Sequence, residues 1–140
     1  MSEFAQEIPA DDHAAAIEAL LLVKEWSQPA GRAYFMGSLQ PDAHPLLEGC
    51  RRAFFLKIPP GGHIHRHTDG PAAHAFDTDL IVVETNEQSF VCWQDGDGEH
   101  RAQLELGKRY RVLGRDLPHW AFNYGDTDRA HLLIEYPKDF

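Results

Sequence analysis

From Gly49 onward the chain is a series of short apolar segments cut apart by clusters of glycine, aspartate, asparagine and proline. That pattern leaves no room for long helices and fits a β-sandwich or barrel, in which each segment buries one face and then turns back. Strands are expected at 51–58, 79–85, 89–94, 100–106, 109–113, 119–123 and 129–136. Asp95-Gly96-Asp97-Gly98 is expected to be a hairpin turn, because glycine and aspartate tolerate the positive backbone angles that tight connections demand. In the last segment, alternation puts Arg129, His131, Leu133 and Glu135 on one face and Ala130, Leu132, Ile134 and Tyr136 on the other. The apolar face is the natural seat for a helix. The opposite face would carry Arg129 and His131 inward, where a guanidinium is costly unless it meets an anion.

Ahead of Gly49 the character differs. Asp11-Asp12 followed by residues 13–26 reads as an amphipathic helix, with Ile17, Leu20, Leu21 and the stem of Lys24 on one stripe, ending before Pro29. From 29 to 49 the pattern is weak, with an aromatic patch at Tyr34-Phe35-Met36 and space for one short strand. A single domain over 1–140 is therefore expected, with 1–49 as a helical and irregular cover and 50–140 as the barrel core. Thirteen Lys and Arg against twenty-two Asp and Glu give a net charge of −9, which repels phosphate backbones and anionic membranes. Neither nucleic acid nor a membrane is an expected partner. The longest apolar stretch contains Glu18 and is too short to span a bilayer, and no secretory leader pattern opens the chain, so a cytoplasmic protein is expected. The two cysteines, Cys50 and Cys92, form no Cys-x-x-Cys pair and suit a reducing compartment as structural thiols.

The chemistry is concentrated in His63-Ile64-His65-Arg66-His67-Thr68-Asp69 and in the distant His119. Residues two apart in an extended segment project to one side, so His65 with His67, or His67 with Asp69, could chelate one metal together with His119. Spacing alone does not choose between them. Two histidines and one carboxylate leave three coordination positions open, enough for a bidentate co-substrate and then dioxygen, and suit Fe(II), whereas three histidines serve several divalent metals. Arg129, ten positions beyond His119, favours the carboxylate-containing set because it could anchor the far carboxylate of a co-substrate.

In order along the chain stand Pro60-Gly61-Gly62, then His67-Thr68-Asp69, Thr85-Asn86, Leu104-Glu105-Leu106-Gly107, His119-Trp120-Ala121-Phe122-Asn123 and Asp128-Arg129-Ala130-His131-Leu132. This succession resembles the aspartyl/asparaginyl β-hydroxylase branch of the Fe(II)- and 2-oxoglutarate-dependent oxygenases. The resemblance implies a double-stranded β-helix, a jelly-roll and cupin-like barrel with the N-terminal helix packed outside. It further implies His67, Asp69 and His119 as iron ligands, and Arg129 and His131 as contacts to 2-oxoglutarate, with Asn123 supporting the orientation of the ligands. The implied reaction couples decarboxylation of 2-oxoglutarate to succinate with hydroxylation of an amino-acid side chain, free or carried on a peptide or carrier protein. A second copy of the chain is an expected partner, since so short a barrel has few elements to close its mouth. In one respect the sequence departs from the family: where members usually carry Arg-x-His ahead of Thr-Asn, the matching register is Thr78-Asp79-Leu80, with His74 a few positions earlier as the candidate substitute.

Two rivals follow from the same residues. A cupin would use His63 or His65 with His67 and His119 and no 2-oxoglutarate, although the glutamate that cupins usually supply soon after the paired histidines is missing between His67 and Glu84. A non-catalytic module would bind metal without turnover. More ordinary roles also compete at individual positions. His13, His44 and His100 fit exposed or turn positions, and His63 and His65 fit the rim of a site. Trp93, Trp120 and Phe90 fit core or inter-sheet packing, Asp69 a turn cap before Gly70-Pro71, and Arg129 a surface pair with Asp126 or Asp128.

Overall fold

The final segment organises the molecule. In the computed structural model, which describes residues 4–70 and 75–138, Arg129–Pro137 (β10) lies near the middle of a six-stranded sheet. Around it are Ala5–Ile8 (β1), Phe35–Leu39 (β2), Arg52–Ile58 (β3), Phe76–Glu84 (β5) and Arg109–Val112 (β8), in the order β1-β8-β5-β10-β3-β2. A four-stranded sheet, β4-β9-β6-β7, faces it, built from His63–His67 (β4), Ser89–Asp95 (β6), Gly98–Ala102 (β7) and His119–Asn123 (β9). All the strand pairings are antiparallel. This is the expected double-stranded β-helix, mostly β with one N-terminal helix.

Alternation divides the core as the last strand requires. Ala130, Leu132 and Ile134 point outward with Ala53, Phe55, Ile81 and Val83, and the helix His13–Leu20 (α1) seats Ala16 and Ala19 on that surface. The inward face carries Phe54, Leu56, Ile58, Leu80, Val82 and Tyr110, packed against Ile64, Val91, Trp93 and Ala121 of the smaller sheet. Antiparallel register lines the inward residues up in rungs. From the closed end toward the mouth, Arg129 stands beside Ile58, His131 between Leu56 and Val82, Leu133 between Phe54 and Leu80, and Glu135 between Arg52 and Thr78.

Several expectations need correction. Residues 1–49 are more than a cover: β1 and β2 pair into the larger sheet as its two edges, β1 through a register with β8 that no local pattern announces. The helix stops at Leu20 rather than running to residue 26, and Leu21 is exposed, so the buried stripe runs through the alanines. The acidic cap is absent as well. Asp12 makes no side-chain capping bond and instead meets Arg109 at 2.9 Å, in a cluster where Arg109 and Arg111 both hold the buried Asp79 and Arg109 also donates to the Tyr136 hydroxyl. That cluster fastens the start of the helix to β5, β8 and β10, and it supports the register in which Thr78 and Leu80 face inward while Asp79 faces out.

The strand expected at 100–106 begins earlier and ends at Ala102, since Asp95-Gly96-Asp97-Gly98 turns tightly with Gly98 at φ +115° and Asp97 N donating to Asp95 Oδ1. Trp93 is a core residue, stacked on Phe4 at 5.3 Å. Trp120 and Phe90 are not; they lie half-buried on the outer face of the smaller sheet, where Arg66 stacks on Trp120 while pairing with Glu99, and Arg101 stacks on Phe90. Both cysteines are free thiols, and burial pushes Cys92 up to about 11. Among the described residues no helix is long and apolar enough to cross a membrane.

Candidate metal centre

Segment 63–67 was open to two readings, strand or extended loop, and the turn before it decides the matter. Gly61 sits at φ +81°, a backbone angle that L side chains rarely adopt, and a Cβ on Gly62 would lie 2.5 Å from the Ala33 carbonyl oxygen. Gly61 N donates to Asn123 O and Asn123 N to Gly62 O, which pins the turn to the end of β9. β4 then runs antiparallel to β9, with His63 opposite Phe122 and a register irregularity that brings His67 opposite His119. Two histidines far apart in sequence thus become cross-strand neighbours, with ring centroids 4.3 Å apart.

Asp69 completes the group. Its Oδ1 lies 3.3 Å from His67 Nε2 and 3.4 Å from His119 Nε2, and one ligand atom from each of the three residues lies within 4.8 Å of the others. The opposite ring nitrogens are held by backbone carbonyls, His67 Nδ1 by His65 O at 2.6 Å and His119 Nδ1 by Leu117 O at 2.7 Å. A carbonyl only accepts, so each Nδ1 must carry the proton and each Nε2 presents a lone pair to the carboxylate oxygen. Three acceptors aimed at one point repel one another unless a cation, proton or metal, stands between them. Without a metal the proton fills this role: the hydrogen bond to Asp69 raises the His67 pKa. At Asp69 burial pushes upward, but the bonds from His119, His67 and Arg115 prevail and hold the carboxyl well below its usual range. Two neutral imidazoles and one ionised carboxylate on one side of a cavity are a donor set that fits a divalent metal such as Fe(II).

Arg115 is the residue that sequence reasoning overlooked. Its Nε donates to Asp69 Oδ2 at 2.9 Å, and its carbonyl accepts from Asp69 N at 3.0 Å, so Oδ1 is left to face the histidines. The only local signal was an arginine in the turn four residues before His119. Arg115→Ala is expected to weaken metal binding about 10- to 100-fold by freeing the carboxylate to rotate, as measured by Fe(II) or Ni(II) titration, and affinity equal to wild type would remove the orienting role. Asp69 is thus no turn cap. His65 is not part of the three-residue cluster; it lines the cavity beside His67 and stacks on Tyr34, while His63 is exposed on the outer face. His44 and His100 hold loops, through Glu18 and Asp95 respectively. His74 lies outside the described residues.

The cavity between the sheets measures about 470 Å³ and is largely apolar, lined by Tyr34, Met36, Phe54, Leu80 and Leu133 among others, with His67, Asp69 and His119 on one wall and His131 on another. Behind His131 lies Arg129, 3% exposed, whose guanidinium donates to His131 Nδ1 and has no carboxylate within ion-pair distance among the described residues. Its expected inward direction holds, and the surface pair with Asp126 or Asp128 does not form. Burial lowers the Arg129 pKa to about 10; burial and the neighbouring guanidinium together keep His131 neutral. With Nδ1 occupied as acceptor, His131 carries its proton on Nε2. Asn123 faces inward as expected, but its bonds go elsewhere. Its amide donates to Ile58 O and Thr127 O, and its oxygen accepts from Asn86, Ser89 and Gly125 N, so it closes the bottom of the barrel and does not orient the histidines.

Comparison with known structures agrees with this architecture. The Pseudomonas putida prolyl-4-hydroxylase superimposes with a TM-score of 0.72 at 16% identity, covering 99% of this chain and 95% of that one. A 2OG-Fe(II) oxygenase family oxidoreductase from Burkholderia pseudomallei gives 0.68 at 14% identity, covering 95% and 84%. HygX from Streptomyces hygroscopicus, solved with nickel and 2-oxoglutarate bound, gives 0.72 at 9% identity, covering 99% and 84%. At these identities the likeness is one of fold. No curated protein matches the chain by sequence. The family described as aspartyl/asparaginyl beta-hydroxylase matches residues 35–138, from the second strand of the larger sheet to the end of the last, and the chain belongs to that family.

Proposed function

We propose that this protein is an Fe(II)- and 2-oxoglutarate-dependent dioxygenase that hydroxylates an amino-acid side chain, free or carried on a peptide or carrier protein, and releases succinate. The observation that carries the reading is the convergence of His67 Nε2, His119 Nε2 and Asp69 Oδ1 on one wall of an apolar cavity that has His131 on another wall and, behind it, a buried guanidinium with no carboxylate within ion-pair distance among the described residues. Family membership and the fold shared with 2-oxoglutarate oxygenases support it. In this reading His67, Asp69 and His119 hold the metal, which would supply the oxidising chemistry when dioxygen and the keto acid are bound. The chain itself binds, orients and excludes water. Arg129 would pair with the far carboxylate of 2-oxoglutarate, for which a planar guanidinium is suited, and His131 Nε2–H would donate to the same group from the cavity wall. The apolar lining keeps water away from the reacting carbon.

Burial of a guanidinium that meets no carboxylate among the described residues is what this role requires. The cupin alternative, with His63 or His65 in the ligand set, gains no support from an exposed His63 and a His65 outside the cluster. Anaerobic addition of 2-oxoglutarate to the iron-loaded protein is expected to produce the visible charge-transfer absorption of a chelated keto acid. Bound iron with no such band would move the assignment to a metal enzyme or binding module that does not use 2-oxoglutarate.

A further inference from the structure

The rung nearest the mouth carries a polar group that the co-substrate does not use. Across β3, β10, β5 and β8 stand Arg52, Glu135, Thr78 and Val112 in register, and all four line the cavity. Glu135 is 6% exposed and Thr78 5%, so both are desolvated. The Thr78 hydroxyl has no hydrogen-bond partner, and the ion partner of Glu135 is Arg52, 3.4 Å away, whose own side chain is 49% exposed and lies over Phe54. One long contact from a solvated guanidinium does little for a buried carboxylate, and an unpaired buried hydroxyl is costly as well. The next rung inward is Phe54, Leu133 and Leu80, wholly apolar.

The competing expectation comes from the family's name and from Arg51 and Arg52 at the same mouth, which would receive an acidic substrate. Both arginines are exposed to solvent and lie over aromatic faces, Arg51 over Phe76 at 3.9 Å and Arg52 over Phe54 at 4.3 Å. At this rung the desolvated groups are acceptors, the Thr78 hydroxyl with no partner and the Glu135 carboxylate with the single long contact from Arg52. Moreover, the neighbouring strand presents Thr78 and Leu80 to the cavity and no cation, and a carboxylate placed beside Glu135 would meet like charge. We propose that the substrate enters as an amine: an ammonium group held by Glu135 and Thr78, joined to an apolar carbon body that lies along Phe54, Leu80 and Leu133 and points toward His67, Asp69 and His119. This deepens the reading given above and rests on it for the reacting end, but the ammonium anchor is measurable without turnover.

Cyclohexylamine, cyclohexanol and cyclohexanecarboxylate differ in charge at nearly constant shape, and each would be titrated calorimetrically at neutral pH into the full chain, first metal-free and then loaded with Ni(II) and 2-oxoglutarate. The amine is expected to bind at least about tenfold more tightly than the carboxylate or the alcohol, and Glu135→Gln to lose roughly that factor without changing the alcohol. Arg52→Ala is expected to strengthen amine binding severalfold, since it frees Glu135 from its competing cation. Preference for the carboxylate, amine binding no tighter than that of the alcohol, no measurable amine binding at millimolar concentration, or an unchanged Glu135→Gln would each overturn the proposal. Failure of the dioxygenase reading appears separately, as lost metal uptake or a missing absorption band, and leaves the metal-free comparison intact.

Discussion

Replacing Asp69 by alanine is expected to lower Fe(II) affinity by at least about 100-fold and to abolish succinate formation, whereas His65→Ala should change metal uptake by less than about threefold. The asymmetry follows from geometry. Asp69 Oδ1 faces both Nε2 atoms and is clamped from behind by Arg115, so it would supply the one anionic donor of the cluster and offset part of the charge of a bound metal. His65 is next to His67 along the strand, with ring centroids 4.9 Å apart, but it is not within the three-residue cluster. Anaerobic Fe(II) titration of the two variants beside wild type is the measurement. Strong binding by Asp69→Ala together with loss in His65→Ala would reverse the ligand assignment and point to three-histidine coordination.

The second large effect concerns Arg129 and has two opposite signs. Arg129→Met is expected to eliminate the 2-oxoglutarate-dependent absorption at co-substrate concentrations that saturate wild type, while leaving metal binding nearly unchanged. In the same variant the free protein should melt a few degrees higher. A guanidinium whose pKa burial lowers to about 10 remains charged at neutral pH inside an apolar wall, and the downward shift corresponds to roughly 3 kcal/mol of penalty on the charged form. Methionine removes that penalty and keeps much of the volume, as hydrophobic replacement of buried charges often does. Part of the gain is lost because His131 Nδ1 gives up its donor, a cost of about 1–3 kcal/mol. The net is a modest stabilisation of at most about 2 kcal/mol, or up to roughly 8 °C for a domain of this size. Linkage provides a check on the sign. With the folded-state pKa below the unfolded one, the contribution of this group to wild-type stability rises with pH only above about 10, up to the ordinary arginine range, and that rise should vanish in the variant. A variant that melts lower and still binds 2-oxoglutarate would place the carboxylate anchor elsewhere.

These two residues illustrate what each level of structure contributes. Period-two alternation in the last strand, a purely local property, separated Ala130, Leu132 and Ile134 from Arg129, His131, Leu133 and Glu135, and the two faces lie where that pattern puts them. The hairpin at Asp95-Gly96-Asp97-Gly98 and the strand 119–123 were legible for the same reason, since turn chemistry and alternation act within a few residues. His67 and His119 were recognisable as candidates from residue type and from the order of motifs. Spacing alone did not choose Asp69 over His65, because both lie two positions from His67; Arg129 and the order of motifs favoured Asp69.

That choice is made by partners from other elements. Pairing of β4 with β9 turns His67 toward His119, Arg115 holds the carboxylate in place, and the Leu117 and His65 carbonyls fix the ring nitrogens. Asn123, expected to support the orientation of the ligands, bonds at the closed end instead, since which of several polar groups an amide reaches depends on loops distant in sequence. The rung of Arg52, Glu135 and Thr78 likewise exists only once three strands far apart in the chain have paired. Which faces are buried and which residues could carry chemistry follow from local periodicity and side-chain type, and both are legible residue by residue. Which candidates meet depends on hydrogen-bond partners and cross-strand neighbours, and these are set by register between segments tens of residues apart.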